Sequence, residues 1–181
     1  MNKDSIALIG FMATGKTLIG KELARCLGNT YQFIETDQMV IRMAGKSINQ
    51  IFREDGEQKF REYEIKACKK VSKLKKAIIS CGGGIVLNNK NIKNLKRNCL
   101  LILLTASTDE LCYRIMKNGK EKRPLINKDN LKREIESILH YREPFYKIAA
   151  DIIIDTTNRN KKEIVDEIIT KIKILKKLHL N

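Results

Sequence analysis

The chain is poor in most of the residues that mark special classes of protein. Its 181 residues hold two prolines, ten glycines, two histidines and no tryptophan. So few prolines exclude collagen-like and Pro-rich chains. The five cysteines (26, 68, 81, 99 and 112) are odd in number and include no C-x-x-C pair, and His140 and His179 complete no metal-ligand spacing. A disulfide framework and a zinc site are therefore not expected, and a reducing, cytoplasmic setting suits the thiols. Most of them read as buried small hydrophobes. Cys81 stands apart because it abuts Gly82-Gly83-Gly84. No apolar run approaches the roughly 20 residues of a membrane span. The longest centres on Leu100 to Leu104, and the N-terminus carries no signal-peptide cleavage pattern. A soluble protein with no membrane partner is expected.

What the chain does have is isoleucine and positive charge. Basic residues number 36 against 21 acidic, for a formal charge of +15. Of the basic residues 26 are Lys, and Lys, Ile and Asn together make up 66 of 181 positions. Those three share A/T-rich codons, so codon bias alone produces such an excess. The lysines are spread along the chain, and the scarce aromatics are not interleaved with them as single-strand nucleic-acid binding requires. The field suits a small anionic substrate better than a nucleic acid. With 43% apolar residues and the length of one domain, the chain reads as a single folded unit over 1–181.

Short apolar runs alternate with segments of helical period. Ser5–Ile9, Tyr31–Ile34, Ala77–Ile79, Cys99–Leu104 and Asp151–Ile154 read as strands, apolar enough to be covered on both faces. Ser47, Ser107 and Asn160 each stand three positions before a Gln or Glu, the signature of a capped helix start. Such alternation predicts a doubly wound, three-layer α/β domain with ligands at the carboxyl ends of its strands. The loops after those strands are where chemistry is to be sought.

The first of these loops, Gly10-Phe-Met-Ala-Thr-Gly-Lys16-Thr17, fits G-x-x-x-x-G-K-[ST] between a strand and a helix expected over Leu18 to Leu27. Its glycines let backbone N–H groups turn toward phosphate oxygens, and the helix N-terminus adds its positive end. Lys16 is expected to reach the β- and γ-phosphates of a purine nucleoside triphosphate, and the Thr17 hydroxyl to ligate Mg²⁺. After the second strand come Glu35-Thr36-Asp37, acids suited to Mg²⁺-bound water and a hydroxyl proton. Taken alone, an Asp capping the next helix is the commoner use. The Gly82-Gly83-Gly84 loop lets backbone approach a ligand closely, or is merely a flexible turn. In the helix from Leu131, the apolar stripe Leu131, Ile135 and Ile138 continues to Arg142, just before Pro144. An arginine there calls for an anionic partner. Arg61, with Glu64 three residues on to orient it, makes a second candidate, and two arginines suit a carboxylate. Either alone also reads as a surface ion pair. The basic stretch Lys117 to Pro124 has the composition of a mobile lid or of a plain solvated loop.

Together these motifs resemble the shikimate kinase family from Gly10 to about Asn160. The resemblance rests on the Gly10–Thr17 cradle, Glu35-Thr36-Asp37, Ser47-Ile-x-x-Ile-Phe52, Gly56-Glu-x-x-Phe-Arg61, the triple glycine, Arg123-Pro124-Leu125 and Arg142-x-Pro144-x-Tyr146. It implies a P-loop, nucleoside-monophosphate-kinase-like fold with a five-stranded parallel sheet, a substrate-binding helical region over about 36–64 and a lid over about 112–126. It implies a monomer that transfers the γ-phosphoryl group of ATP to the 3-hydroxyl of shikimate with Mg²⁺. Lys16, Asp37 and Arg123 would be catalytic. ATP would be held by Ala13, Thr14, Gly15, Lys16, Thr17, Leu18, Arg114, Arg123 and Arg159, with Arg114 and Arg159 flanking the adenine. Shikimate would meet Asp37, Arg61, Gly82, Gly83, Gly84 and Arg142, and the metal Thr17 and, through water, Glu35. A kinase of another hydroxy acid such as gluconate, or a nucleotide-binding regulator without turnover, is the alternative. Two positions depart from the family pattern. Glu35 stands where Asp is usual, and Ala13 replaces a frequent glycine, so position 13 is expected to avoid positive φ.

Overall fold

The computed structural model describes residues 3–28, 30–117 and 131–178. The expected lid lies outside the described residues from 118 on. Five strands, β1 (Ser5–Ile9), β2 (Gln32–Glu35), β3 (Ala77–Ser80), β4 (Cys99–Thr105) and β5 (Ile152–Asp155), pair in parallel in the order β2-β3-β1-β4-β5. The expected doubly wound sheet is present. Strand β1 keeps the bounds of the sequence reading, and the other four strands shift by one residue at one or both ends, because pairing register rather than composition decides them. Gln32 faces Ala77, and Ile152 faces Ile102.

Strand residues alternate between two cores, as period two requires. Ala7, Ile9, Ile79, Leu101 and Leu103 pack on one face with Cys68, Val71, Leu95 and Ala149. Ile6, Leu8, Ile78, Ile102 and Leu104 pack on the other with Ile19, Leu23, Ile164, Val165 and Ile168. The helices supplying these residues are α1 (Lys16–Leu27), α4 (Gly56–Val71), α5 (Asn89–Lys96), α7 (Leu131–Ala149) and α8 (Lys161–Leu178). Among the described residues, no helix is long and apolar enough to cross a membrane.

A separate small cluster positions the site. Val40 on α2 (Thr36–Ala44), Ile51 in a π-helical turn (Ile51–Asp55) and Phe60 and Ala67 on α4 form one apolar knot. It fixes the two helices that carry Asp37 and Arg61. Ser47 closes a reciprocal capping box with Gln50 at the start of α3 (Ile48–Gln50). Ser107 and Asn160 likewise accept from the backbone of Glu110 and Glu163, at the starts of α6 (Thr108–Lys117) and α8.

One helix boundary differs from the sequence reading. Helix α1 begins at Lys16 rather than Leu18, after Gly15 turns the chain at φ 93°. Helix α7 runs through Pro144 to Ala149, where the proline lacks the N–H that would bond one turn back.

Gly20 on α1 shows how tightly the layers close. A β-carbon there would stand 2.6 Å from Cε2 of Phe33 and 3.2 Å from Cδ1 of Leu8. Gly20→Val is expected to destabilise by about 2 kcal/mol through overpacking, despite the better helix propensity of valine. Thermal or urea unfolding of the purified variant checks this; an unchanged midpoint would mean that Phe33 moves aside freely.

Candidate active site

Strand β1 lies between β3 and β4, where the winding of the sheet reverses, and a cavity of about 610 Å³ opens at its carboxyl end. Its wall is the loop from Met12 to Ile19, with Glu35, Asp37 and Gly83 on one side and Arg114, Thr156 and Arg159 on the other. Gly10 starts this loop at φ 140°, and a β-carbon there would fall 2.3 Å from the Leu104 carbonyl oxygen. Only glycine lets the chain leave the sheet so close to β4. Thr14 is buried, its hydroxyl donating to the Phe11 carbonyl at 2.8 Å.

Ala13 corrects the sequence expectation. It adopts φ 62°, in the left-handed region it was expected to avoid. A non-glycine residue there costs about 1–2 kcal/mol. The surroundings impose the conformation, since the Ala13 carbonyl accepts from Nη1 of Arg114 at 3.2 Å.

Lys16 is nearly buried, with Nζ donating to the carbonyls of Gly10 at 2.9 Å and Phe11 at 2.7 Å. The Thr17 hydroxyl donates to Oε1 of Glu35 at 2.6 Å, so hydroxyl and carboxylate oxygens meet at the cavity mouth. Such hard oxygen donors suit Mg²⁺. Asp37 is the second residue of α2, while Glu35 occupies the cap position without a side-chain cap bond. Capping is therefore the use of neither acid. Burial pushes the Asp37 carboxyl above its ordinary range, Lys16 opposing and Glu35 adding to the shift.

The three glycines make room for side chains. A β-carbon on Gly82 would fall 2.6 Å from Oδ1 of Asp37, and one on Gly84 would fall 2.8 Å from Nη1 of Arg61. Between them the Gly83 carbonyl accepts from the Tyr146 hydroxyl and from Nη1 of Arg142, the latter at 3.4 Å. The loop thus brings Asp37, Arg61 and Arg142 to one place. None of the three glycines has positive φ.

Arg61 is held by carboxylates on its own helix. Nη2 donates to Glu57 at 2.8 Å and Nη1 to Glu64 at 3.1 Å, so Glu64 does orient it. Glu64 is 2% exposed, and burial raises its carboxyl pKa against the pull of Arg61. Nε of Arg142 is buried with no partner among the described residues. A buried guanidinium N–H without an acceptor is costly, and an incoming anion would satisfy it.

On the opposite wall of the cavity, Arg114 donates to Glu110, Ala13 and Thr156, and Arg159 to Glu167 and the Asp155 and Glu163 carbonyls. Both line the cavity, as does the exposed Leu18. Arg123 lies outside the described residues. Cys81 is fully buried with its thiol pushed well above the usual range, which leaves it inert. Tyr146 and Thr156 carry contacts here that no sequence argument assigned. Tyr146 falls four residues after Arg142, on the same face of α7, and its burial lifts the phenol to about 12. Thr156 is the first residue beyond β5, a place where the rule about strand ends would have found it.

The shikimate kinase family profile matches residues 12–173. A shikimate kinase of Caldanaerobacter subterraneus is 41% identical over 91% of this chain and 94% of its own length. One from Thermoanaerobacter pseudethanolicus is 40% identical over 96% and 98%. Among solved structures, a shikimate kinase from Acinetobacter baumannii in complex with shikimate superposes with a TM-score of 0.87 at 26% identity, covering 96% of this chain and 94% of that one.

Because burial raises the Asp37 pKa above its unfolded value, the contribution of this one carboxyl to the stability of the ligand-free protein is fully present only below the ordinary carboxyl range. That contribution is lost as pH rises through the raised value. Asp37→Asn removes this dependence. Its melting temperature relative to the parent chain is expected to climb by a few degrees between about pH 4 and about pH 8. A constant difference across that range, measured by calorimetry without ligand, would mean that Asp37 titrates as an ordinary surface acid.

Proposed function

The chain belongs to the shikimate kinase family, and from that premise we propose how its residues share the work of moving the γ-phosphoryl group of ATP to the 3-hydroxyl of shikimate. The products are ADP and shikimate 3-phosphate, on the route to chorismate and the aromatic amino acids.

Phosphoryl transfer needs positioning and charge neutralisation more than covalent chemistry. In this reading the loop from Ala13 to Leu18 cradles the phosphates. Lys16 exchanges its bonds to Gly10 and Phe11 for bonds to the β- and γ-phosphate oxygens. Arg114 and Arg159 lie along the nucleotide. Thr17 would hold Mg²⁺ directly and Glu35 through water; when bound, the ion supplies neutralisation of the charge on the β- and γ-phosphates. The Thr17 hydroxyl already lies 2.6 Å from Glu35, so the longer acid reaches the position. Arg123 would be the lid arginine on the transferring group.

On the acceptor side, Arg61 and Arg142 grip the shikimate carboxylate, with the Gly82, Gly83 and Gly84 backbone beside it. The observation that carries this reading is the buried Nε of Arg142, without a partner among the described residues, whose guanidinium abuts the same glycine loop as that of Arg61. Asp37 meets the ring hydroxyls and takes up the proton of the attacking one, a role suited to a carboxyl whose pKa burial has raised. In this reading the enzyme works as a monomer.

Arg142→Lys keeps the charge but loses the planar fork, so KM for shikimate is expected to rise about tenfold or more with the fold intact. Normal KM with early melting would make Arg142 a structural residue.

The two acids separate by what rescues them. Glu35→Gln is expected to lose about 10–100-fold in activity and to recover part of it at high Mg²⁺. Asp37→Asn should stay inactive at every Mg²⁺ concentration. Rescue of Asp37→Asn and not of Glu35→Gln, in an ADP-release assay, would reverse the two assignments.

A further inference from the structure

Thr156 is buried and polar, 1% exposed, and has no part in the chemistry above. It stands where β5 ends, and three other segments converge on it. Its N–H donates to the Thr105 carbonyl of β4 at 2.9 Å. Its hydroxyl lies 2.8 Å from that same carbonyl and 3.3 Å from the Thr14 carbonyl in the cradle, and accepts from Nη1 of Arg114 at 3.0 Å. Its own carbonyl accepts from Nη2 of Arg114 at 2.6 Å. The same Nη1 reaches the Ala13 carbonyl, and Nε is fixed by Glu110 at 2.7 Å.

We propose that Thr156 is a positioning residue for the nucleotide cradle: its hydroxyl, donating to Thr105 and accepting from Nη1 of Arg114, aims that guanidinium at the strained Ala13 carbonyl. A cradle binds phosphate because N–H groups line it. A carbonyl released from its donors is free to turn toward the phosphates, where its negative end repels them. The need is acute here because Ala13, at φ 62°, has no intrinsic preference for its conformation. Thr156 and Arg114 supply from outside the loop the constraint that the loop's own sequence does not.

This proposal rests on the reading of the cradle as the ATP site. The experiment measures KM for ATP, KM for shikimate and ADP affinity by calorimetry for Thr156→Val, Thr156→Ser and Thr156→Ala, each with and without Ala13→Gly. Thr156→Val, which keeps shape and loses the hydroxyl, is expected to raise KM for ATP and weaken ADP about five- to tenfold. KM for shikimate should stay within about twofold, and Thr156→Ser should restore ATP binding. In the Ala13→Gly background the penalty should shrink to about twofold, because glycine adopts the left-handed conformation without cost. Thr156→Ala carries the same comparison should the valine variant not fold. Unchanged KM for ATP, an equal rise in both KM values, or the same penalty in both backgrounds overturns the proposal. Lys16→Met is measured in parallel. If it leaves ADP affinity unchanged, the nucleotide reading itself falls and this proposal with it. If it weakens ADP while the Thr156 variants do not, this proposal alone falls.

Discussion

Backbone passes closer to its neighbours in this site than any β-carbon allows, and the rest of the arrangement depends on that. At Gly10 the chain leaves β1 against the Leu104 carbonyl, which sets the cradle at the one point where the sheet's winding reverses. At Gly82 and Gly84 the empty β positions are filled by the Asp37 carboxylate and the Arg61 guanidinium. Side chains that would otherwise point into solvent are thereby drawn to one loop. The glycines serve as sockets for the Asp37 and Arg61 side chains, a use different from the flexibility usually credited to such runs.

That convergence carries an electrostatic cost. Asp37 and Glu64 are both pushed up by burial, and Arg142 keeps a guanidinium N–H without an acceptor among the described residues. A protein selected only for stability would replace such groups with apolar ones. Retaining them makes sense when the missing partners arrive with the substrates, because an anion entering a site lined by preplaced cations and dipoles requires little reorganisation. The overall charge of +15 adds a long-range attraction for anionic substrates, while selectivity belongs to the few buried groups.

The two halves of the site are stiffened in different ways. Around Asp37 and Arg61, an apolar knot of Val40, Ile51, Phe60 and Ala67 holds α2 to α4, so both side chains are placed by packing. On the other side the loop after β1 is tied by hydrogen bonds to the ends of β4 and β5 through Thr156 and Arg114. The first is insensitive to direction and the second is directional. A loop that must present N–H groups to phosphate needs the directional kind.

The sequence by itself determined whatever is local. Continuous apolar runs of strand length announced a covered parallel sheet, and G-x-x-x-x-G-K-T between strand and helix announced a phosphate cradle. The Ser47, Ser107 and Asn160 caps followed from spacing alone, as did Glu64 beside Arg61 one helical turn away, because hydrogen-bonding geometry within a few residues is nearly the same in every protein. Only the tertiary structure decided what depends on contacts across the chain. Ala13 looked, on propensity, like a residue that avoids positive φ; Arg114, more than 100 positions away, holds it there. Tyr146 meets Gly83 and Thr156 meets Thr14 over separations of 63 and 142 residues. Propensity at such positions is worth about a kilocalorie per mole, and a few well-directed hydrogen bonds outweigh it. Those bonds exist only after the sheet has assembled and brought the two ends of the chain together.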